Sequence, residues 1–329
     1  MSIAVVIVSY DDPEGTVRAV ASVGAQTVAP DEVSVVDHGP GHPTTALGLD
    51  ATVLTPAANL GFAGGAALGA RSTNADWILF LNPDAVAAPD CLERLLEATD
   101  AGTGLVGAQV LLPDGRVNAG DNPVHLIGIA WAGRYLEPRE DGRPRGVASV
   151  SGAAMFARRT ALEAIGGITE RYFLYHEDVD LSWRMRLAGW DVRFQPQATV
   201  THDYAFDKGA RKWFYLERNR AWTVLSCYSG RSLILLAPLL IASEAAIVLK
   251  ARREDWWPEK RAAWAAVWKD RRALLARRRA VQATRRAGDR EIVTRMTADL
   301  DTALLDGPAP RGSGVVLRAY RRALLALSA

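Results

Sequence analysis

Cysteine is scarce in this sequence of 329 residues. Cys91 and Cys227 are its only cysteines, and neither belongs to a C-x-x-C pair. This scarcity excludes a disulfide-rich scaffold and a cysteine-based zinc site, and it fits a protein of the reducing cytoplasm.

The sequence also lacks the marks of an exported or repetitive protein. The apolar run at residues 3–8 has no basic segment before it, so it predicts a buried strand and not a secretion signal. No internal repeat and no long low-complexity tract is present. We therefore expect the main part of the chain to stay inside the cell.

The small formal net charge of +2 hides a strong asymmetry. Residues 250–290 contain 14 lysines and arginines against 5 acidic residues, a local charge of +9 that leaves −7 for the rest of the chain. The basic character therefore belongs to the C-terminal part. At this length the chain exceeds one typical domain and can bury a substantial core with an appended segment.

Short apolar runs alternate with helical patterns in the first hundred residues. Residues 3–8, 32–36 and 77–81 have the composition of strands covered on both faces of a parallel sheet. Asp12 and Pro13 cap and open a helix, and Pro89 opens another whose leucines share one face. The alternation predicts an open α/β sheet with right-handed crossovers.

Farther along the chain the pattern is less regular. Asp114-Gly115 predicts a hairpin, and residues 120–146 have the glycine, proline and arginine content of a mobile loop. Residues 160–163 match a capping box, which predicts a short helix that stops at the glycine pair 166–167. Residues 191–194 and 199–201 predict two strands, and residues 208–228 predict one long helix.

Three carboxylates, Glu177, Asp178 and Asp180, lie at the start of a predicted helix that stops at Gly189. Acids this close together repel one another, so the cluster favours a site where a metal, a cationic ligand or a shared proton compensates. Asp178 or Asp180 can equally serve only to cap the helix. Local sequence leaves both interpretations open.

Polar side chains follow several predicted strands, where ligands collect in an open α/β sheet. These strand ends carry Ser9-Tyr10-Asp11-Asp12, Asp37, Asn82-Pro83-Asp84 and His202-Asp203. A single acid there is often only a turn former, but four such ends together indicate a ligand site. Asp84 and His202 can both ligate Mg²⁺ or Mn²⁺ bound through the phosphates of a substrate. A metal ion beside one free carboxylate is a minimal site for group transfer.

A glycine-rich turn at residues 59–65 precedes a helix of small residues. Asn59 and glycines such as Gly64 would let the backbone approach a flat or charged ligand closely. The turn has neither the G-x-G-x-x-G spacing of a dinucleotide site nor the lysine of a P-loop, which disfavours a dehydrogenase or an ATPase.

In their order and spacing, these motifs resemble the family 2 glycosyltransferases, specifically the rhamnosyltransferase-like and galactofuranosyltransferase-like branch with a GT-A fold. The resemblance extends over about residues 3–219. Its landmarks are the segments 6–10, 35–37, 59–65, 81–85, 151–154, 173–184 and 212–219, together with His202. It implies a mostly parallel central sheet flanked by helices.

The resemblance also assigns roles to residues of the donor side. Asp37 would hydrogen-bond the nucleotide base, with Ser9 and Tyr10 beside it. Asn82-Pro83-Asp84 looks like the D-x-D metal motif with asparagine in its first position. Asp84 would then be the direct ligand of Mn²⁺ or Mg²⁺, and His202 would complete the metal site.

On the acceptor side, the resemblance makes Asp178 of the Glu177-Asp178 pair the general base. Arg218 would meet the diphosphate or the acceptor, which the bidentate geometry of arginine suits. His38 stands where asparagine is usual after the base-binding acid, and Thr169 replaces a frequent aspartate. These departures leave the identity of the donor open.

The C-terminal part combines apolar, aromatic and basic residues. Residues 233–249 are nearly all apolar apart from Pro238 and Glu244, and they fall just short of the roughly 20 residues that span a bilayer. After them come Arg252-Arg253, Trp256-Trp257, Trp264, Trp268, Arg277-Arg278-Arg279 and Arg285-Arg286. This combination favours an anionic membrane surface, with the apolar helix in the interface or packed on the core. A solvated helical face is the plainer alternative.

We therefore predict a GT-A domain at residues 1–230 and a helical, basic, membrane-associating extension at residues 231–329. The predicted enzyme inverts the anomeric centre as it moves a sugar, possible donors being UDP- or dTDP-linked rhamnose or galactofuranose, to a hydroxyl of a cell-envelope glycan or lipid-linked acceptor. It would be cytoplasmic and peripheral at the inner face of the cell membrane. No nucleic acid is expected as a partner, since no recognition fold accompanies the arginines.

Two other functions stay open from the sequence. The first is a non-catalytic, membrane-bound scaffold that keeps a nucleotide-sugar fold. The second is a hydrolase with paired carboxylates, which is disfavoured because the neighbours Glu177 and Asp178 would diverge on most backbones.

Overall fold

The computed structural model describes residues 1–202, 209–300 and 313–327. The chain divides into two compact units. The first consists of Met1–Asn122, Ala132–Met185 and Trp190–Phe206, and the second of Pro123–Trp131, Arg186–Gly189 and Asp207–Ala329. Asp203 and Lys208, predicted to lie at a strand end and at a helix start, are outside the described residues.

One mixed sheet forms the centre of the first unit. Its strands are β1 (Ile3–Ser9), β2 (Glu32–Asp37), β3 (Thr52–Leu54), β4 (Trp77–Leu81), β5 (Ala85–Ala87), β6 (Thr103–Leu111), β7 (Val117–Ala119), β8 (Arg145–Gly146), β9 (Ala154–Arg158) and β10 (Asp191–His202). Their order in the described part of the chain is β3-β2-β1-β4-β9-β6-β10-β5, with β7 beside β6 and β8 beside β10.

Most of the long strands run in one direction. β1 is parallel to β2 and β4, and β6 is parallel to β10. Because β9 is antiparallel to both β4 and β6, these two groups also share a direction. The predicted, mostly parallel α/β sheet is thus confirmed, and its parallel strands all end at the same edge.

Helices flank this sheet. They are α1 (Pro13–Gly24), α2 (Gly61–Arg71), α3 (Cys91–Glu97), α4 (Arg159–Ala164) and α5 (Glu177–Leu187), whose last two residues belong to the second unit. As predicted, Asp12 caps α1, since its Oδ1 accepts a hydrogen bond from the Gly15 amide at 2.9 Å. α1 and α2 pack on β1, and α3 packs on β6 and β10.

The core of the first unit lies on the central strands. Every residue of β1 and of β4 is buried, which explains why both strands are continuous apolar runs in the sequence. Trp77 of β4 stacks on Phe156 of β9 with ring centroids 4.7 Å apart. Full burial of a side chain such as Phe156 stabilises the fold by about 1.5–3 kcal/mol.

Three local predictions were wrong or incomplete. The capping box does not form, because α4 begins at Arg159 and Thr160 lies inside its first turn. The two strands expected after residue 190 are one strand, β10, whose register shifts between Gln195 and Thr199. Such an irregularity is where a strand tolerates a proline, here Pro196. α3 begins at Cys91, two residues after the predicted start.

The segment 120–146 is more ordered than its composition suggests. Arg145 donates to Asp121 Oδ2 at 2.8 Å and to Glu140 Oε2 at 2.9 Å, and Arg134 also pairs with Glu140. The predicted hairpin before it is present, with the Leu112 amide donating to the Arg116 carbonyl at 2.7 Å. Ion pairs therefore hold a stretch that was predicted to be a mobile loop.

The second unit is helical. Its helices are α6 (Arg211–Cys227), α7 (Gly230–Arg253), α8 (Trp257–Lys269), α9 (Arg271–Thr284), α10 (Asp289–Val293) and α11 (Ser313–Leu327). α6 packs on α8 and α9, and α7 on α8 and α11. Tyr228, after α6, donates from its hydroxyl to the Leu126 carbonyl at 2.9 Å, which ties the segment Pro123–Trp131 into this unit.

Helix α7 extends beyond the apolar run seen in the sequence. It has 24 residues and is, by length and composition, a candidate for crossing a membrane. Only 11% of its most apolar stretch is buried, unlike a helix in the core of a domain. At 1.5 Å per residue it is about 36 Å long. The expectation that this segment falls short of a membrane span was therefore wrong as to length.

Candidate active site

The polar residues that follow the parallel strands gather at one edge of the sheet. Ser9 and Asp37 are paired in register at the ends of β1 and β2. Asn82 follows β4, the neighbour of β1 on its other side. His202 ends β10, where it pairs with Ala85 of the antiparallel strand β5. This arrangement follows from strand direction, because parallel strands end together.

A histidine and a carboxylate meet directly at this edge. His202 Nε2 lies 2.9 Å from Asp84 Oδ1 and 3.4 Å from Asn82 Nδ2. His202 is buried and Asp84 is partly exposed, so the pair faces solvent through the carboxylate. No group of three or more His, Cys, Asp or Glu side chains suited to a metal occurs in the described residues.

The predicted general base is connected to this pair through the loop before β9. Asp178 Oδ2 accepts a hydrogen bond from the Gly152 amide at 3.0 Å. The next residue, Ala153, accepts from the Asn82 amide at 3.0 Å. The start of α5, the loop at Gly152 and the end of β4 therefore lie side by side.

Glu177 and Asp178 approach the same point. A Cβ placed on Gly152 would lie 3.5 Å from Glu177 Oε1 and 3.5 Å from Asp178 Oδ2. The expectation that these neighbouring carboxylates diverge was therefore wrong. Glu177 opens α5 directly after two residues with a left-handed backbone, Tyr175 and His176, at φ values of 66° and 70°.

Burial changes the acidity of this pair. Glu177 is 7% exposed, and its Oε2 has no hydrogen-bond partner in the described part of the chain. Burial, and then the charge of Asp178, raise the pKa of Glu177 well above its ordinary value. Burial also raises the pKa of Asp178, although the Val179 and Gly152 amides oppose this by donating to its oxygens. A carboxylate whose pKa is raised takes up a proton more readily than an ordinary one, as a general base must.

The third acid of the cluster is structural. Asp180 is buried and accepts hydrogen bonds from Thr169 Oγ1, Tyr172 Oη and Arg184 Nε at 3.0, 3.1 and 2.8 Å. Thr169, which stands in place of an aspartate, thus acts as a donor to this buried carboxylate. Asp180 is the fourth residue of α5 and so is not its N-cap.

Asp37, the predicted base-binding residue, is completely buried under the segment that follows β2. Its Oδ1 accepts from the Gly39 amide at 2.9 Å, and its Oδ2 accepts from the amide and hydroxyl of Thr44 at 2.9 and 2.6 Å. The carboxylate therefore organises residues 39–44, and its contact with a nucleotide base stays a prediction. No sequence motif marks Thr44 as part of this arrangement.

Ser9 and Tyr10 differ in what they offer to a ligand. Ser9 is buried, with its hydroxyl 2.8 Å from that of Thr16. Tyr10 is 54% exposed, and its ring lies edge-on to His38 with centroids 6.4 Å apart. His38 is held in turn by the Leu60 amide, which donates to its Nδ1 at 3.1 Å. Tyr10 is thus the more accessible of the two predicted contacts.

The glycines of the turn at residues 59–65 are required by the protein itself. Asn59 Oδ1 accepts from the Gly61 amide at 2.8 Å. A Cβ on Gly64 would lie 2.7 Å from Leu60 Cβ, and one on Gly65 would lie 2.6 Å from Val8 Cγ1. Close packing accounts for these glycines locally, and donor binding by Asn59 and Gly64 stays a prediction.

Arg218 belongs to the second unit. It lies on α6, where its Nε donates to Asn219 Oδ1 at 2.9 Å and its guanidinium covers the rings of Phe214 and Tyr215 at 5.2 and 5.3 Å. Its predicted contact with diphosphate or acceptor remains a prediction.

Comparison with known proteins agrees with this architecture. A family model described as glycosyltransferase like family 2 matches residues 2–224. The chain is 29% identical over 278 residues to the N-acetylglucosaminyl-diphospho-decaprenol L-rhamnosyltransferase of Mycobacterium tuberculosis, with 75% of this chain and 91% of that protein aligned. It is also similar to the O-antigen biosynthesis protein RfbC of Myxococcus xanthus, 29% identical over 143 residues that cover 40% of this chain and 11% of that protein.

Solved structures share the fold at low sequence identity. The structure of S. aureus TarS 1-349 in complex with UDP has a TM-score of 0.55 and 11% identity, and the alignment covers 99% of this chain and 89% of that one. GalNAc-T7 with UDP, GalNAc and Mn²⁺ has a TM-score of 0.58 and 15% identity, covering 70% of this chain and 48% of that one. The chain thus spans about half the length of GalNAc-T7. It is a glycosyltransferase with a GT-A fold and belongs to family 2, in the rhamnosyltransferase-like branch.

Proposed function

We propose that this enzyme transfers a sugar from a nucleotide diphosphate donor to a hydroxyl group with inversion at the anomeric carbon, assisted by a divalent cation. One observation carries the proposal: Asp178 is joined through Gly152, Ala153 and Asn82 to the pair formed by Asp84 and His202. A candidate base and a candidate metal pair therefore lie around one loop.

Asp178 would act as the base. As the acceptor oxygen bonds to the anomeric carbon, its proton passes to an Asp178 oxygen, and the bond from the anomeric carbon to the diphosphate oxygen breaks. A single attack opposite the leaving group inverts the anomeric centre. Burial raises the pKa of Asp178, which favours its uptake of the acceptor proton.

The residues present fit a hard divalent cation such as Mn²⁺ or Mg²⁺. Two neighbouring ligands of an octahedral ion with bonds of about 2.1 Å are about 3 Å apart, and Asp84 Oδ1 and His202 Nε2 are separated by 2.9 Å. With two protein ligands, the other coordination positions of the cation would be open to phosphate oxygens and water, and these ions prefer oxygen ligands. When bound, such a cation neutralises the charge that develops on the diphosphate.

The donor and acceptor are proposed from the relatives. The mycobacterial relative is named as an L-rhamnosyltransferase that acts on N-acetylglucosaminyl-diphospho-decaprenol. This supports rhamnose as the candidate sugar and a lipid-linked acceptor. The dTDP- or UDP-linked donor and the alternative of galactofuranose are proposed from the sequence resemblance alone. Asp37, Ser9, Tyr10, Asn59, Gly64 and Asn82 are the proposed donor contacts, and all lie in the first unit. The role of Arg218 toward a diphosphate or an acceptor is a separate prediction.

A lipid-linked acceptor favours a position at the membrane. We propose that the enzyme is cytoplasmic and peripheral at the inner face of the cell membrane. The exposed apolar side chains of α7 and the arginines that follow them support this position.

The test compares Asp178→Asn with the wild-type enzyme. Calorimetry with dTDP- and UDP-sugars and Mn²⁺ should give nearly equal donor affinities, while turnover should fall by about 10²–10⁴-fold because only the base is lost. Asp114→Asn, on the exposed hairpin, is the matched control. Full activity of the Asp178 variant would refute the assignment of the base, and no metal-dependent donor binding by the wild type would favour the scaffold alternative.

A further inference from the structure

Helix α7 presents one continuous apolar stripe to solvent. Ile234, Ile241 and Leu249 are 78%, 71% and 56% exposed, and Pro238 and Ala245 between them are also exposed. Their spacings of three or four residues place them on one side of the helix, over about 22 Å. A patch of this kind marks an interaction surface.

Arginines border the stripe at both ends. Arg231, three residues before Ile234, and Arg252, three residues after Leu249, are exposed and continue the same helical spacing. Arg253 is exposed beside Arg252. The surface therefore has an apolar centre and cationic ends.

Ion pairs on another side of α7 connect this helix to α6 and α8. Glu244, near the middle of the helix, pairs with Arg220 of α6 and with Lys260 of α8, whose Nζ lies 2.7 Å from Glu244 Oε2. Trp264 Nε1 donates to the same oxygen at 2.9 Å. Arg220 and Lys260 are 4% and 1% exposed, and both also pair with Glu217. These ion pairs form one network that connects α6, α7 and α8.

This network is incompatible with a membrane-crossing α7. A helix that crossed the bilayer would carry Glu244 into the hydrocarbon, where it would either lose its two cations or bring them with it. Both outcomes are unfavourable, because buried ion pairs are costly to break and charged side chains are costly at the bilayer centre. The length of α7 therefore does not make it a transmembrane helix.

We propose that α7 lies flat in the surface of an anionic bilayer, with the side chains of Ile234, Ile241 and Leu249 at the boundary between headgroups and acyl chains. Arg231, Arg252 and Arg253 would bind lipid phosphates at the two ends. This inference deepens the proposed membrane location, on which it rests, by naming the face that makes the contact and by excluding a span. Amphipathic helices with basic residues bind membranes in this orientation.

Charge favours lipid over a second copy of the chain as the occupant. If two α7 stripes packed together symmetrically, either antiparallel or parallel, arginines of one copy would face arginines of the other. Like charges in contact oppose such a dimer. An anionic surface instead neutralises both ends of the stripe.

The experiment measures flotation of the full chain with vesicles. Vesicles of phosphatidylcholine mixed with phosphatidylglycerol should bind the wild type, and vesicles of phosphatidylcholine alone should bind it much more weakly. The double variant Ile241→Ser, Leu249→Ser should bind the anionic vesicles at least about tenfold more weakly. Val17→Ser, an exposed apolar residue of α1, is the matched control and should bind like the wild type.

Turnover with a soluble acceptor should be the same in all these proteins, which separates membrane binding from catalysis. Alkaline carbonate should release the bound wild type, as expected for a helix that lies on the surface. Equal vesicle binding by the double variant and the wild type would overturn the proposal. So would resistance to carbonate, which would indicate a span, or a dimer in solution that only the double variant loses.

Discussion

Gly61 lies against the backbone of Phe173. A Cβ on Gly61 would lie 2.2 Å from the Phe173 carbonyl oxygen, and the Ala63 amide donates to that oxygen at 3.1 Å. Phe173, Tyr175 and His176 all have positive φ values, a costly backbone for residues other than glycine. The glycine-rich turn therefore holds the strained segment that leads directly to Glu177 and Asp178.

This contact makes Gly61→Ala a test of how the base is positioned. The added methyl group must displace the Phe173 backbone, and a shift of about 1 Å in a catalytic group can cost about 10²-fold in rate. We expect kcat to fall by about that factor, with KM for the donor changed only a little. Steady-state kinetics with the donor varied will show this split.

Gly48→Ala is the matched control for Gly61→Ala. Gly48 also has a positive φ, 60° against 65° for Gly61, but a Cβ there would meet no atom within 4 Å. Both variants thus bear a similar backbone cost, and only one collides with Phe173. Equal kcat values in the two variants would show that the contact does not position the base.

Glu177→Gln is predicted to stabilise the protein at neutral pH. Burial and the charge of Asp178 raise the pKa of Glu177 in the folded state, so folding favours its protonated form. The contribution of Glu177 to stability is complete below the pKa of about 4.3 that it has in the unfolded chain. It is lost as pH rises through the higher pKa that Glu177 has in the folded chain. Glutamine avoids that loss, so the melting temperature should rise at pH 7.5 by about 2–4 °C per kcal/mol recovered.

The pH dependence identifies the cause of that gain. The difference between Glu177→Gln and the wild type should shrink as pH falls towards 4, because the unfolded state of Glu177 also becomes mostly protonated there. Glu32→Gln, at an exposed position in β2, should change the melting temperature little at any pH. A gain that is the same at pH 7.5 and pH 4 would contradict a titration effect.

Asp84→Ala is predicted to remove the dependence of donor binding on metal. Without this carboxylate, His202 alone would face the cation, which is too few ligands for Mn²⁺ or Mg²⁺. Thermal shifts with a nucleotide sugar should increase on addition of Mn²⁺ in the wild type and in Asp114→Ala, but not in Asp84→Ala. A Mn²⁺-dependent shift of unchanged size in Asp84→Ala would rule out the proposed metal pair.

Glu217→Gln is predicted to destabilise the second unit. Glu217 pairs with the buried cations Arg220 and Lys260, and these contacts outweigh the effect of its burial and lower its pKa to about 2. The contribution of Glu217 to stability is therefore present above the pKa of about 4.3 that it has in the unfolded chain, and it is lost as pH falls towards 2. Removal of the charge leaves Glu244 to pair with both cations, and we expect a loss of about 3 kcal/mol.

Urea unfolding at pH 7 will measure the effect of Glu217→Gln. The control is Glu254→Gln, which removes a partly exposed partner of Lys250 at the end of α7 and should cost less than about 1 kcal/mol. Similar losses in the two variants would mean that the buried network contributes no more than a surface ion pair.

Much of the first unit could be predicted from local sequence. β1 and β4 are completely buried, so their apolar runs identify them without knowledge of the fold. The cap at Asp12 is likewise set by a neighbouring residue, Gly15. Local rules failed at Thr160, where the first turn of α4 begins one residue earlier, and at Pro196, where a register shift keeps one strand continuous.

The candidate site was only partly predictable. Strand direction is enough to bring Asp84 and His202 to one edge, and the sequence motifs named both residues. The role of Asp180 was not predictable, because its partners Thr169, Tyr172 and Arg184 contact it only in the folded chain. The role of Thr44 was not predictable either, because its amide and hydroxyl donate to Asp37 only in the folded chain.

The sequence by itself determined the α/β alternation, the family and the residue types of a transfer site, because periodicity and short motifs depend on neighbours along the chain. Tertiary structure alone decided that Glu177 and Asp178 converge, that Gly61 supports Phe173 and that Glu244 ties α7 to buried cations. These are contacts between residues distant in sequence or set by an unusual backbone. Their free energies depend on burial and distance, which only the folded chain defines.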